Sequence, residues 1–221
     1  MCLQDKKIRA CIFDMDGVLV NTEKYHFMAW QRLTEALGFT IAEKFNENLK
    51  GVSRSACVDL ILKHGGLTKT QEEKNALAAQ KNEWFLEFVK TEVTPANVYP
   101  GVLDFLHSLK SKGYKTAVGS ASKNTMLLLN KLEIIQYFDA IVDGNMIEKA
   151  KPNPEVFLKG AELLNVRPCE CVVFEDAYSG VEAAKNGGMY CIGVGSPEVL
   201  SKADFCIRTF MEMNVERLKE L

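Results

Sequence analysis

The stretch Ile8-Arg9-Ala10-Cys11-Ile12-Phe13-Asp14-Met15-Asp16-Gly17-Val18 decides how this chain is read. The largely apolar run from Ile8 to Phe13 reads as a strand that opens directly onto two carboxylates. Alternation along extended backbone puts Asp14 and Asp16 on one side and Met15 on the other. Two carboxylates at a strand end, followed by a glycine that lets the chain turn, suit a hard cation. They also set a nucleophile beside a proton-transfer group. An ordinary acidic turn after a buried strand would carry the same letters, so the rest of the chain must decide.

Length and composition set the outer bounds. The 221 residues suffice for one large domain or two modest ones. A hydrophobic content of 47% and a charged content of 25% are those of an ordinary globular protein. A net charge of −2 argues against a broad basic footprint for nucleic acid. No apolar run approaches the roughly 18 residues that span a bilayer. Met1 to Arg9 is polar and lacks the apolar core of a signal peptide. Among seven cysteines there is no CxxC pair, and Cys11, Cys57, Cys171, Cys191 and Cys206 lie in apolar stretches. They read as buried thiols in a reducing cytoplasm.

Outward from the first strand, four more short apolar runs follow: Thr116–Gly119, Ala140–Val142, Cys171–Glu175 and Cys191–Val194. Helical patterns alternate with them: Leu103–Ser111, Asn124–Leu132, Glu155–Leu164 and Ser179–Lys185. Strand–helix alternation predicts βαβ units, hence an α/β fold with a doubly wound, Rossmann-like parallel sheet. Sites in such sheets lie outside the carboxyl ends of the strands. The segment from Thr22 to Thr94 differs, with no convincing strand and three amphipathic patterns, His26–Leu37, Ser53–His64 and Thr70–Lys90. It is expected to fold as a helical cap over the strand ends. The predicted division is residues 1–21 and 95–221 for the α/β core and 22–94 for the cap, with two crossings, near Asn21–Thr22 and Val93–Ala96, as a hinge.

Four stations at predicted strand ends would converge on one pocket. Asp14 and Asp16 are the first. Gly119-Ser120-Ala121-Ser122-Lys123-Asn124 is the second, where a hydroxyl and backbone N–H groups open a helix, a place that favours phosphate. Lys151, beside two prolines in Ala150-Lys151-Pro152-Asn153-Pro154, is a point charge for a phosphoryl oxygen. Glu175-Asp176 could complete a magnesium site. Singly these have ordinary explanations: a helix cap, a surface lysine, a polar strand end. Together, in this order, they resemble the haloacid dehalogenase superfamily of aspartyl phosphotransferases, over essentially the whole chain.

Within that superfamily the chain is most similar to the β-phosphoglucomutases. The stretches that carry this are Tyr25-His26-Phe27 with Ala29-Trp30, Phe45-Asn46-Glu47, Leu49 to Arg54, Lys81-Asn82, Val98-Tyr99-Pro100-Gly101 and Ser120 to Asn124. The chain diverges from the family through Asp143–Lys149. The resemblance implies that Asp14 is the nucleophile and Asp16 the general acid and base. It implies magnesium held by Asp14, the main-chain carbonyl of Asp16 and Asp176, with Glu175 in or near the shell. Ser120, the Ala121 N–H and Lys151 would hold the transferring phosphoryl oxygens. Arg54 would clamp the other phosphate, its planar fork being suited to bidentate binding. His26 would couple substrate binding to Asp16, and Thr22 would sit at the hinge. Trp30, Gly51, Val52, Lys81, Ser122, Lys123 and Asn124 would line the substrate pocket, and Trp84 would be cap core.

The function so implied is a mutase interconverting β-D-glucose 1-phosphate and β-D-glucose 6-phosphate, with β-D-glucose 1,6-bisphosphate as primer and intermediate. The alternative is a magnesium-dependent sugar-phosphate phosphatase with the same four stations. A phosphoryl-accepting module without turnover would leave Asp16 and an entire cap idle. The expected partner is a small phosphosugar, with no nucleic acid or membrane. A monomer is expected, since no interface stripe stands out.

Overall fold

The computed structural model describes residues 7–221; the polar reading of the N-terminus falls mostly outside them. Six parallel strands, β1 (Ala10–Phe13), β2 (Lys115–Gly119), β3 (Ala140–Val142), β4 (Cys171–Glu175), β5 (Tyr190–Val194) and β6 (Phe205–Ile207), run in the order β3-β2-β1-β4-β5-β6. Between β1 and β2 lie α1 (Glu23–Ala36), α2 (Glu43–Asn46), α3 (Arg54–His64), α4 (Gln71–Glu92) and α5 (Val102–Ser111). Further on come α6 (Thr125–Lys131), α7 (Glu155–Leu163) and α8 (Tyr178–Asn186). The fold is the expected α/β, doubly wound one. Two short elements went unread in the sequence, β6 and α2.

The chain leaves β1 toward β2 and β3 on one side, then crosses to β4, β5 and β6 on the other. That reversal is the switch point at which such sheets open a crevice. Register sets its floor. Phe13 pairs with Val118 and Phe174, and Gly119 with Val142, so the strand ends are level. The Asp14 N–H donates to the Phe174 carbonyl at 3.0 Å, which brings Asp14 alongside Glu175.

Strand alternation divides the core in two. Cys11, Phe13, Val118, Val172 and Phe174 pack with Phe105, Leu106 and Leu109 of α5 and with Leu128 and Leu129 of α6. Ala10, Ile12, Ala117, Cys171 and Val173 pack on the other face against Val156, Phe157 and Ala161 of α7 and Val181 of α8. Phe13, adjacent to Asp14, stacks on Phe174 at 4.8 Å and meets the Phe105 ring edge-on at 6.3 Å. Burial of one such side chain stabilises by about 1.5–3 kcal/mol, which fixes the backbone that presents the carboxylate.

The inserted helices have a cluster of their own, built from Trp30, Leu33, Ile41, Leu49, Cys57, Val58, Ile61 and Leu62, with Trp84 packed against it. Caps explain their starts: Ser53 Oγ accepts from the Ala56 N–H at 3.4 Å, and Thr70 forms a capping box with Glu73. Tyr25, Ala29, Phe85 and Val89 belong instead to the cluster of the sheet, so the inserted helices share apolar contact with the core. The two crossings meet where the Asn21 N–H donates to the Asn97 carbonyl at 2.8 Å. Cys11, Cys57, Cys171 and Cys191 are buried free thiols, and Cys206 is a half-buried one. Cys169, outside the set read as thiols, is disulfide-bonded. Among the described residues no helix is long and apolar enough to cross a membrane.

Candidate active site

Between strand ends and inserted helices lies one cavity of about 530 Å³, within the usual range for small-molecule sites. Its floor is acidic. Ligand oxygens of Asp14, Glu175 and Asp176 all lie within 4.8 Å of one another. Lys151 Nζ donates to Asp14 Oδ1 and, at 2.7 Å, to Glu175 Oε1. Glu175 Oε2 accepts the Ala177 N–H at 2.9 Å. Glu175 is thus a buried anchor for Lys151 and for the turn into α8. A Cβ at Gly180 would collide with its carboxylate, which accounts for glycine there. Thr22, Lys151 and Glu175 lie beneath the cavity surface, whereas Asp14, Asp16 and Asp176 line it.

Charge on this floor is unbalanced. Burial, set against the attraction of Lys151 and aided by Glu175 and Asp16, pushes the Asp14 carboxyl up to about 7. Burial and Glu175 push Asp176 well above the carboxylate range. Lys151 is held above its ordinary value: burial pulls it down, but Asp14 and Glu175 pull it up further. Three carboxylates meeting one ammonium call for a further cation. Hard oxygen donors suit a divalent ion such as magnesium, and Gly17 leaves the space beside Asp176 that a Cβ would fill. The residues therefore fit a metal site, with Asp14 and Asp176 as donors. The Asp16 side chain lies outside that cluster, so Asp16 could contribute only its main-chain carbonyl.

Asp16 has a separate environment. Thr22 Oγ1 donates to its Oδ1. His26 Nε2 lies 3.6 Å from the same oxygen, too far for a hydrogen bond. It is the buried side-chain atom without a hydrogen-bond partner among the described residues. His26 Nδ1 meets Lys81 Nζ at 2.8 Å. Burial raises the Asp16 carboxyl, but His26, Thr22 and Lys81 together bring it below its ordinary value. Burial and then Lys81 hold the His26 imidazole below its ordinary range, against the pull of Asp16. Burial, followed by Arg54, brings Lys81 down to about 7, against Cys57 and Asp16.

The wall made by the inserted helices is basic. Lys81 is buried, its Nζ 4.5 Å from the Trp30 ring centroid. Arg54, in the first turn of α3, lines the cavity and has no ion-pair partner among the described residues. Trp30, Gly51 and Val52 line the same wall. Gly51 has φ +68°, and a Cβ there would stand 2.7 Å from Ser179 Oγ, so the loop before α3 rests directly on the turn into α8.

The serine station departs from expectation in part. Ser120, Ala121, Ser122 and Lys123 line the cavity. The helix opens at the end of the station, with Asn124 as the N-cap of α6 and its carbonyl accepting the Leu128 N–H at 3.0 Å, but the turn before it closes on itself. The Ser122 N–H donates to Ser120 Oγ at 3.1 Å and the Asn124 N–H to Ser122 Oγ at 3.2 Å. The Ala121 N–H, between them, has no partner among the described residues. Asn124, expected in the pocket, lies outside the lining and donates from Nδ2 to Asn82 Oδ1 at 2.8 Å, joining core to cap. Unread in the sequence were Glu23 and Lys50, which pair at 3.2 Å in the cavity wall. Asn46 and Lys50 lie in stretches that carried the resemblance; Glu23 had no signal beyond its place after Thr22.

A switch-point crevice with a paired-aspartate floor beneath inserted helices is the arrangement of an enzyme that works through an active-site carboxylate. Residues 8–188 match the family model for haloacid dehalogenase-like hydrolases, and the chain belongs to that family. It is 38% identical to a β-phosphoglucomutase of Bacillus subtilis, covering 96% of this chain and 95% of that protein. It is 35% identical to a phosphorylated carbohydrates phosphatase of Thermotoga maritima, covering 82% of each. A crystal structure of β-phosphoglucomutase from Clostridium difficile superposes with a TM-score of 0.92, at 39% identity and 96% coverage of both chains.

Proposed function

We propose that the protein is a phosphosugar mutase that interconverts β-D-glucose 1-phosphate and β-D-glucose 6-phosphate through an aspartyl phosphate on Asp14. The observation that carries this reading is that one cavity holds both an acidic floor and the basic side chains Arg54 and Lys81. The floor suits phosphoryl transfer, and the basic side chains suit a second phosphate. A monophosphate hydrolase needs only the floor.

A bound magnesium ion would neutralise charge between Asp14 and the incoming phosphate. The Asp14 carboxylate attacks phosphorus of the 1,6-bisphosphate, and the phosphorus–sugar oxygen bond breaks. Asp16, carrying the proton taken from a sugar hydroxyl in the preceding half-reaction, gives it to the departing sugar oxygen. Lys151, the Ser120 hydroxyl and the Ala121 N–H hold the transferring oxygens, where preorganised donors act most strongly. Asp16, again a carboxylate, then takes the proton of a sugar hydroxyl, which attacks the phosphoryl group and frees Asp14. Thr22 and His26 position Asp16, and His26 links it to Lys81 beside the distal phosphate. Both ends of the bisphosphate must fit both walls, so the intermediate turns over between half-reactions.

The Thermotoga maritima relative favours a second reading, a sugar-phosphate phosphatase in which Asp16 activates water. One tube separates the two: β-glucose 1-phosphate, magnesium and a trace of the 1,6-bisphosphate, with glucose 6-phosphate and inorganic phosphate both read. The mutase gives glucose 6-phosphate with little phosphate. Phosphate in excess of isomerised sugar overturns the proposal in favour of the hydrolase.

A further inference from the structure

Glu23 stands where the inserted helices meet the metal-ligand floor. It is the first residue of α1, next to Thr22, and therefore part of the cap side of the cavity. Its side chain does not turn to solvent with Lys24. Glu23 Oε1 would stand 2.6 Å from a Cβ at Gly17, the same point at which that Cβ would strike Asp176 Oδ2. The two carboxyls thus lie side by side over Gly17, one from each part of the protein. Lys50 Nζ, in the loop that leads to Gly51 and Arg54, is 3.2 Å from Glu23 Oε1 and 3.1 Å from Glu47 Oε1. Ser179 Oγ donates to the Lys50 carbonyl at 3.4 Å.

Like charges this close are costly. Two carboxyls over one glycine oppose each other's ionisation. One lysine offsets part of that on the Glu23 side. A divalent cation beside Asp176 would convert the remainder into attraction and give Glu23 an ion-bound water to accept from. Carboxylates that act in this way, behind the direct ligands, set metal affinity.

We infer that Glu23 is a positioning residue for the cation, so that the cap supplies part of the metal site and occupancy of the floor draws α1 and the Lys50–Arg54 loop onto the core. The inference rests on the metal reading of Asp14 and Asp176.

The test is magnesium binding to the full chain without substrate, by titration calorimetry, for wild type, Glu23→Gln, Glu23→Ala and Asp176→Asn. Tryptophan emission is followed in parallel, because Trp30 and Trp84 both lie on cap helices. Glu23→Gln keeps size and polarity and loses only charge, and Glu23 is partly exposed, so folding is retained. Expected are a dissociation constant raised about 10- to 100-fold in both Glu23 variants, and a magnesium-induced emission change that they lose at concentrations where wild type is saturated. Wild-type affinity in Glu23→Gln, with binding lost in Asp176→Asn, overturns this inference and leaves the metal site standing. Weakened binding with a full emission change at saturation overturns the link to the cap. No magnesium binding by wild type overturns the metal reading and the inference with it.

Discussion

At the scale of single residues, two aspartates two positions apart meet different surroundings, which suit them to the different tasks proposed for them. Asp14 faces Lys151 and the acidic floor; Asp16 faces Thr22 and His26. Asp14→Asn is expected to abolish turnover, because of the two carboxylates on Lys151 only Asp14 reaches the cavity, Glu175 lying beneath it; turnover like wild type would remove Asp14 from the mechanism. Asp16→Asn retains the main-chain carbonyl and is expected to bind magnesium normally while losing about 10²- to 10⁴-fold in rate. A loss of only a few-fold would leave Asp16 no acid–base role. Thr22→Val tests how Asp16 is tuned. Burial raises that carboxyl, and His26, Thr22 and Lys81 more than reverse it. Removing the Thr22 hydroxyl withdraws a hydrogen bond to the ionised form, so the Asp16 carboxyl must rise. The acid limb of kcat/KM, read as a function of pH, should move to higher pH; an unmoved limb would show that Thr22 does not tune the base.

At the scale of elements, α4 buries a cation that α1 must accommodate. Lys81 is nearly inaccessible and is brought down to about 7, by burial first and Arg54 next. The sign of the stability effect follows from proton binding. Between about 7 and the ordinary lysine value near 10.4, the unfolded chain holds more protons at this position than the folded one. Stability therefore rises with pH across that window, and the penalty is present in full below it. Lys81→Met is expected to exceed wild type in stability by more than about 1 kcal/mol near pH 6.5, with the gap closing toward pH 10. Urea unfolding of both proteins across that range checks it, and a pH-independent gap would show that Lys81 is not buried in charged form.

Elements also show why some of this was legible beforehand. The strands β1 and β4 announce themselves because both faces are buried, and their runs end in the carboxylates they present. β6 is three residues at the sheet edge, only partly buried, and α2 is a single turn; neither is long enough to show a period. Asp14 and Ser120 follow β1 and β2 directly and Glu175 closes β4, so strand order brings these three together; Lys151 lies further on, past the loop after β3, and its Lys151-Pro152 setting is what made it legible. Glu23, Lys50 and Asn82 join the site only through helix packing, which local sequence does not encode.

At the scale of the molecule, the proposed mechanism makes the choice between mutase and phosphatase depend on what would reach a phosphorylated Asp14: a sugar hydroxyl or water. Closure of the inserted helices over the floor would decide this by excluding water. An apolar seam through Tyr25, Ala29, Phe85 and Val89 joins the inserted helices to the core. Polar contacts join cap and core beside that seam: Asn124 to Asn82 at 2.8 Å, and, in the last turn of α4 close to Val93, Lys131 Nζ to the Lys90 carbonyl at 2.9 Å. One such hydrogen bond is worth about 1 kcal/mol, enough to shift an open–closed balance about fivefold. Asn82→Ala is expected to raise phosphate released per glucose 6-phosphate formed by about that factor, with Asp14 phosphorylation by a small donor unchanged. Asn124→Ala should do the same, and the double variant should add little, because the two share one bond. Additive effects would mean that each residue acts on substrate separately. An unchanged ratio in all three would place control of water in the closed pocket itself rather than in the balance between open and closed lid.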